Sequence, residues 1–254
     1  MILGDIRPEP PRAIPPALRS ADARPRVLTS GAAASPDLAT VAVLCWDGFL
    51  EPDSRDALFA HIRDDSGNYE PSRIYGRVDG GEVDEERRRS VVRREDPWAR
   101  EAFLPTLEKP LQVARRFFGV ENVPFARIEL QVTASGDGDF FTMHCDDGYG
   151  ESYDRMLTFI YYLHREPRPF TGGTLNVFDS HKVDGRYRPA TSFARIDPRN
   201  NRLVMFPADR FHEVARMACP SPAFEDRRIT VNGWYRAQEG FLPQVDRGPP
   251  PASG

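Results

Sequence analysis

His144 and Asp146 are separated by one residue in Met143-His144-Cys145-Asp146-Asp147. On an extended segment, side chains two positions apart point to the same side, so this imidazole and this carboxylate can face one metal ion. An imidazole nitrogen and a carboxylate oxygen, completed by a second histidine, form the facial set that holds non-haem Fe(II) and leaves coordination positions open. The candidate for the second histidine is His212, in Phe211-His212-Glu213-Val214. It follows the apolar run Leu203 to Phe206 and a turn at Pro207, so it begins a strand at a rim. Taken alone, such a pair occurs by chance, and a lone histidine is more often a surface or satisfied core residue than a ligand.

A second group of residues points to an anion. In Arg227-Arg228-Ile229-Thr230-Val231-Asn232-Gly233-Trp234, strand alternation puts Arg228, Thr230, Asn232 and Trp234 on one face and Ile229 and Val231 on the other. If the apolar face packs outward on helices, the polar face looks into a barrel. There a guanidinium and a hydroxyl would be costly to bury unless they bind an anion; a carboxylate would satisfy both. The competing reading is a rim arginine paired with Glu225 or Asp226. Two further features accompany this strand. The run Arg155 to Leu163 contains Tyr161 and Tyr162, which on periodicity alone read as core aromatics. Gly172 and Gly173, before Thr174, read as a hairpin turn.

The elements that must position these residues are mostly short strands. After Gly119, apolar or alternating runs are separated by Gly, Pro, Asn and Asp clusters. The runs are 126–133, 140–144, 156–163, 174–178, 192–196, 202–206, 212–217 and 228–235. About eight such strands predict a mainly β chain with flanking helices, a double-stranded β-helix or jelly roll. Upstream, 41–46 reads as a strand. Pro52 then opens a helix with Leu58, Phe59 and Ile62 on one face. Asp96 and Pro97 open a short helix that Pro105 should end or bend, and a further helix runs from Leu111 to Phe118. These N-terminal helices are expected to buttress one face of the sheet. The mixed-charge run 80–96 reads as a solvated loop or surface helix, with a lid over the site as the alternative. The expected division is a disordered Pro/Ala-rich lead at 1–40, one domain at 41–240 (support at 41–118, jelly-roll core at 119–240), and a disordered tail at 241–254.

Composition narrows the function. A formal charge of −4 and a pI near 5.8 give no basic footprint for nucleic acid. Cys45, Cys145 and Cys219 are far apart and odd in number, which argues against a disulfide framework or zinc ribbon and for a reducing cytoplasm. No apolar run approaches the ~20 residues that span a bilayer. A cytoplasmic protein acting on a small molecule or peptide is expected, with no membrane or nucleic-acid partner.

With these residues in place, the region from about Arg127 to Arg236 resembles the Fe(II)/2-oxoglutarate-dependent oxygenases, in particular the prolyl-4-hydroxylase-like branch. The likeness rests on an ordered set: His144 and Asp146, the Tyr-Tyr-Leu strand, Gly-Gly-Thr, His212-Glu213-Val214, and Arg228 six residues before Trp234. It implies that His144, Asp146 and His212 ligate Fe(II), and that Arg228, Thr230 and Tyr162 hold the distal carboxylate of 2-oxoglutarate. It further implies O2 as co-substrate, succinate and CO2 as products, ascorbate as reductant, and hydroxylation of a proline or other amino acid, free or in a peptide. One departure is the stretch between His212 and Arg228, which contains Cys219-Pro220-Ser221-Pro222 and is longer than in collagen or hypoxia-sensing hydroxylases. Two other readings share the same residues: a cupin-like enzyme using Zn or Mn as a Lewis acid, and a non-catalytic sensor that binds 2-oxoglutarate.

Overall fold

A computed structural model describes residues 17–33, 35–74, 80–147, 154–183 and 186–241. In chain order the elements are β1 (Arg26–Thr29), β2 (Leu38–Ala39), β3 (Ala42–Asp47), α1 (Pro52–Asp64), β4 (Glu70–Pro71), β5 (Arg88–Arg89), β6 (Val91–Arg93), α2 (Pro97–Phe103) and α3 (Glu108–Phe117). They continue with β7 (Phe125–Ser135), β8 (Phe140–His144), β9 (Arg155–Leu163), β10 (Thr171–Gly172), β11 (Leu175–Val183), β12 (Arg186–Ile196), β13 (Arg202–Pro207), β14 (His212–Val214), β15 (Met217–Ala218) and β16 (Arg228–Ala237). All the strand pairs are antiparallel.

An eight-stranded sheet in the order β1-β3-β13-β9-β16-β7-β6-β4 faces a smaller one in the order β12-β11-β14-β8-β5, with β2 added to β11. This is the double-sheet arrangement expected from the run of short strands, with helices before it. The period-two alternation of the large sheet decides which core each side chain joins. Leu157, Phe159, Tyr161 and Leu163 of β9, with Ile229 and Val231 of β16, pack against Leu58, Ile62, Phe103 and Leu107 from the helical segment. The alternate positions Ile160 and Tyr162 face the other way. They meet Val43, Cys45, Val204 and Phe206, and across the sandwich Leu175, Val177, Ala194 and Ile196. Each such side chain contributes ~1.5–3 kcal/mol on burial, so a one-residue slip of β9 or β16 would exchange the two cores.

The helices start where their residues predict. Pro52 stands in the first turn of α1, and Leu58 and Ile62, four apart, are its buried apolar contacts. The Asp96 carboxylate accepts the Ala99 N–H at 2.9 Å and caps α2, with Pro97 in its first turn. The Pro105 segment, Leu104–Leu107, tightens into a 3-10 turn, and the next helix starts at Glu108 rather than at Leu111.

Three expectations are corrected. Within the lead read as disordered to residue 40, Leu18 is buried in the helix-side core, β1 pairs with β3, and β2 pairs with β11. Proline-rich composition hid these short strands, whose order comes from the sheets they join. The 80–96 run is neither helix nor wholly a solvated loop. Its β6 extends the large sheet beside β7, and its β5 pairs with β8 in the small one. The third correction is length: β11 and β12 run from Leu175 to Val183 and from Arg186 to Ile196, well beyond the apolar runs that announced them. The tail reading concerns 241–254, of which only Phe241 is among the described residues.

Candidate metal centre and anion pocket

β8 and β14 are adjacent, and His144 lies directly opposite His212 in their register. The segment after β8 is pinned by the Asp146 N–H donating to the Ala208 carbonyl at 3.0 Å. The consequence is convergence. Nε2 of His144 lies 3.8 Å from Asp146 Oδ1, and Nε2 of His212 lies 3.4 Å from Asp146 Oδ2. One donor atom from each of the three residues falls within 4.8 Å of the others.

The histidine tautomers suit a metal. Nδ1 of His144 is 2.8 Å from the Thr142 carbonyl, and Nδ1 of His212 is 2.8 Å from the Arg210 carbonyl. A carbonyl can only accept, so each Nδ1 carries the proton and each Nε2 presents its lone pair to the shared space. Burial and the neighbouring His212 lower the His144 pKa to about 3, against the pull of Asp146, so its imidazole is neutral. Burial would raise the Asp146 pKa, but His212, His144 and Arg155 together hold it below the usual carboxylate range. Thr158 Oγ1 donates to Asp146 Oδ2 at 2.7 Å and fixes the carboxylate. Two imidazoles and one ionised carboxylate, aimed by outer hydrogen bonds, fit a non-haem Fe(II) ion. Cys145 is not part of this group; its Sγ lies 3.4 Å from the Asp209 carbonyl.

Arg228, Thr230 and Tyr162 also come together. Thr230 on β16 pairs directly with Tyr162 on β9. Arg228 is 3% exposed, and its Cζ lies 5.0 Å from the Tyr162 ring centroid. Neither Arg228 Nε nor the Tyr162 hydroxyl has a hydrogen-bond partner, although both are buried. A buried guanidinium and a buried hydroxyl with donors left unmet suit a carboxylate, because burial without one would cost about 1–3 kcal/mol for each unmet hydrogen bond. Among the described residues Arg228 forms no ion pair with Glu225 or Asp226, and Asp226 pairs with Arg165 at 2.6 Å. Arg227 points elsewhere, its Cζ 5.6 Å from the Phe224 ring. The tyrosines divide by face. Tyr161 belongs to the helix-side core and donates to Asn201 Oδ1 at 2.9 Å, while Tyr162 looks into the sandwich.

Gly172 and Gly173 do not form a hairpin turn. Gly172 belongs to β10, which pairs with β15 in the long segment between His212 and Arg228. Gly173 has φ +66°, and a Cβ there would stand 2.9 Å from Arg228 Cδ and 3.0 Å from Met217 Cγ. Gly173 thus leaves room for the arginine side chain. Gly173→Ala is expected to displace Arg228 and weaken 2-oxoglutarate about tenfold, the equivalent of ~1.4 kcal/mol, with metal affinity unchanged. Calorimetric titration of both ligands checks it; an unaltered 2-oxoglutarate affinity would show that Arg228 tolerates the shift.

Several neighbours escaped the sequence reading. Phe141 stacks on the His144 ring with centroids 3.6 Å apart. The Arg155 guanidinium lies 3.7 Å over the Trp234 ring and bonds Glu129. Thr133 and Thr230 hydroxyls both reach Asn232 Oδ1, at 3.0 and 3.3 Å. The alternation of β9 already put Thr158 on the face of Tyr162, but only the register across the sandwich brings it to Asp146.

Comparison with known proteins agrees with this geometry. Residues 130–236 match the 2OG-Fe(II) oxygenase superfamily. Over 111 residues, 44% of this chain, the sequence is 39% identical to an uncharacterized PKHD-type hydroxylase of Synechocystis sp.; the match spans 37% of that relative. A Pseudomonas putida prolyl-4-hydroxylase shares the fold with a TM-score of 0.54 at 21% identity, covering 77% of this chain and 92% of that one. A prolyl hydroxylase from Trichoplax adhaerens, solved with a hypoxia inducible factor peptide fragment, gives 0.52 at 15% identity, covering 76% and 83%. Residues 130–236 thus carry the sequence pattern of the 2OG-Fe(II) oxygenase superfamily, and the chain shares its fold with these two prolyl hydroxylases. Among the described residues, no helix is long and apolar enough to cross a membrane.

Proposed function

We propose that this protein is a cytoplasmic 2-oxoglutarate-dependent hydroxylase of a proline or another amino acid, free or within a peptide. The observation that carries the reading is the pairing of two features on facing sheets: the convergent His144, Asp146 and His212 donors, and the buried Arg228, its Nε without a hydrogen-bond partner, beside Tyr162. His144, Asp146 and His212 would hold Fe(II), and Arg228, Thr230 and Tyr162 would hold the distal carboxylate of 2-oxoglutarate. Fe(II), with 2-oxoglutarate and O2, supplies the oxidising power to hydroxylate an unactivated C–H bond, releasing succinate and CO2.

The chain's own part is binding, orientation and exclusion of water. The carbonyls of Thr142 and Arg210 hold each imidazole in the tautomer that offers Nε2, and Thr158 keeps the Asp146 carboxylate turned to the same point. Phe141 stacks on the His144 ring, and Trp234, 9% exposed, lies under the Arg155 guanidinium. Arg228 fixes one end of the co-substrate by charge, so its other end is directed to the triad. Ascorbate is expected to prolong activity when no substrate is present.

The test is incubation with Fe(II), 2-oxoglutarate, ascorbate and 18O-labelled dioxygen over a panel of free amino acids and proline-containing peptides, read by mass spectrometry. One panel member should gain a single labelled oxygen atom. If succinate accumulates and no member of the panel gains oxygen, the substrate assignment is wrong.

A further inference from the structure

Arg88 is an inward-facing cation beside the triad that none of the functions above employs. It lies on β5 directly opposite Phe141 of β8, so the two side chains share a face of the small sheet. That face is the inner one: Phe141 is opposite Val214 of β14, and Val214 packs against the core between the sheets. Arg88 Cζ lies 4.7 Å from the centroid of the Phe141 ring, the ring that stacks on His144.

The guanidinium is weakly held. Among the described residues its hydrogen bonds are Nε to Ser90 Oγ and Nη1 to the Arg73 carbonyl, both 3.4 Å and at the outer limit of a hydrogen bond. Among the described residues it forms no ion pair with a carboxylate. The other cations of this region are committed: Arg155 to Glu129, Arg236 to Asp154 and Glu129. Burial, partly offset by Asp146, lowers the Arg88 pKa to about 10, so it stays cationic at neutral pH. An inward cation on an end strand can serve only to discourage edge pairing, but such a charge needs no position against the ring that stacks on His144.

We propose that Arg88 determines specificity by binding a carboxylate of the substrate, so that the C–H bond presented to the triad lies a few bonds from that carboxylate. The inference rests on the hydroxylase reading and narrows its substrate to an acid: a free amino acid, a peptide C-terminus, or a peptide with an acidic side chain next to the target residue. A planar guanidinium recognises a carboxylate by two parallel hydrogen bonds, which a primary amide cannot reproduce.

The experiment uses the full chain loaded with Mn(II) and saturating 2-oxoglutarate, with acetate as the carboxylate probe and acetamide as its neutral counterpart. The readout is the paramagnetic broadening of the probe's methyl proton signal. Acetate should be broadened at least about tenfold more than acetamide at equal concentration, as a charge-assisted pair requires. Arg88→Gln should remove that excess and Arg88→Lys retain part of it, with 2-oxoglutarate affinity unchanged in both. Equal broadening of acetate and acetamide by the unmodified protein overturns the proposal, whether or not the variants fold, and so does an excess that survives Arg88→Gln. Failure of the protein to bind Mn(II) or 2-oxoglutarate would instead strike the hydroxylase reading. Competition of the acetate signal by L-proline, by N-acetyl-prolyl-aspartic acid α-amide and by N-acetyl-proline then distinguishes a free amino acid, an acidic side chain and a peptide terminus.

Discussion

Asp146→Ala is expected to reduce Fe(II) affinity by more than the ~10–100-fold typical of losing a partner outside the coordination shell. The carboxylate is the only anionic donor of the three, it is 9% exposed, and both Nε2 atoms face it within 3.8 Å. Its removal leaves two imidazoles, 4.2 Å apart between ring centroids, with no anionic donor to offset the metal's desolvation. His144→Ala and His212→Ala should also cause large losses, since each removes one lone pair already aimed by a backbone carbonyl. His181 is the control. It lies on β11 with an exposed ring whose Nδ1 is 3.2 Å from the Asp37 carbonyl, and its replacement should leave metal affinity unchanged. Anaerobic calorimetry with Fe(II) reads all four variants; equal affinity in Asp146→Ala and the unmodified protein would remove the metal from this site.

Arg228→Ala should weaken 2-oxoglutarate by roughly a hundredfold or more, because breaking a buried charge pair costs about 3–5 kcal/mol and each ~1.4 kcal/mol is a factor of ten. Arg227→Ala should change it little, as expected of a half-buried cation that packs on Phe224 and beside Gly136. Thermal unfolding gives a readout independent of turnover. At a concentration one hundred times its Kd, 2-oxoglutarate stabilises the metal-loaded protein by about 2.7 kcal/mol. At the same concentration a hundredfold weaker variant gains only about 0.4 kcal/mol. If Arg227→Ala suffers the large loss and Arg228→Ala does not, the co-substrate lies on the opposite face of β16.

The parts of this site that were legible in the sequence are those governed by a single strand's alternation. Arg228, Thr230, Asn232 and Trp234 share a face because β16 is regular from Arg228 to Tyr235, and Ile229 and Val231 reach the helices for the same reason. What was not legible depends on pairing between strands. The short strands β5 and β6 hide in a charged run because β7 and β8 stabilise them, rather than any amphipathic pattern of their own. Phe141 reaches the His144 ring, and His212 the same point, through a register shift between β14 and β8 that periodicity does not encode. Gly173 reads locally as a turn glycine; its role follows from Arg228, which is distant in sequence and adjacent in space.

Release of CO2 from 2-oxoglutarate labelled at C1 tests the central claim most directly, that the triad and Arg228 form one oxygenase site. In the unmodified protein it should require both Fe(II) and O2, produce succinate in equal amount, and fall to background in His212→Ala. Release that continues undiminished in His212→Ala would contradict the account, as would tight 2-oxoglutarate binding with no release under any substrate of the panel.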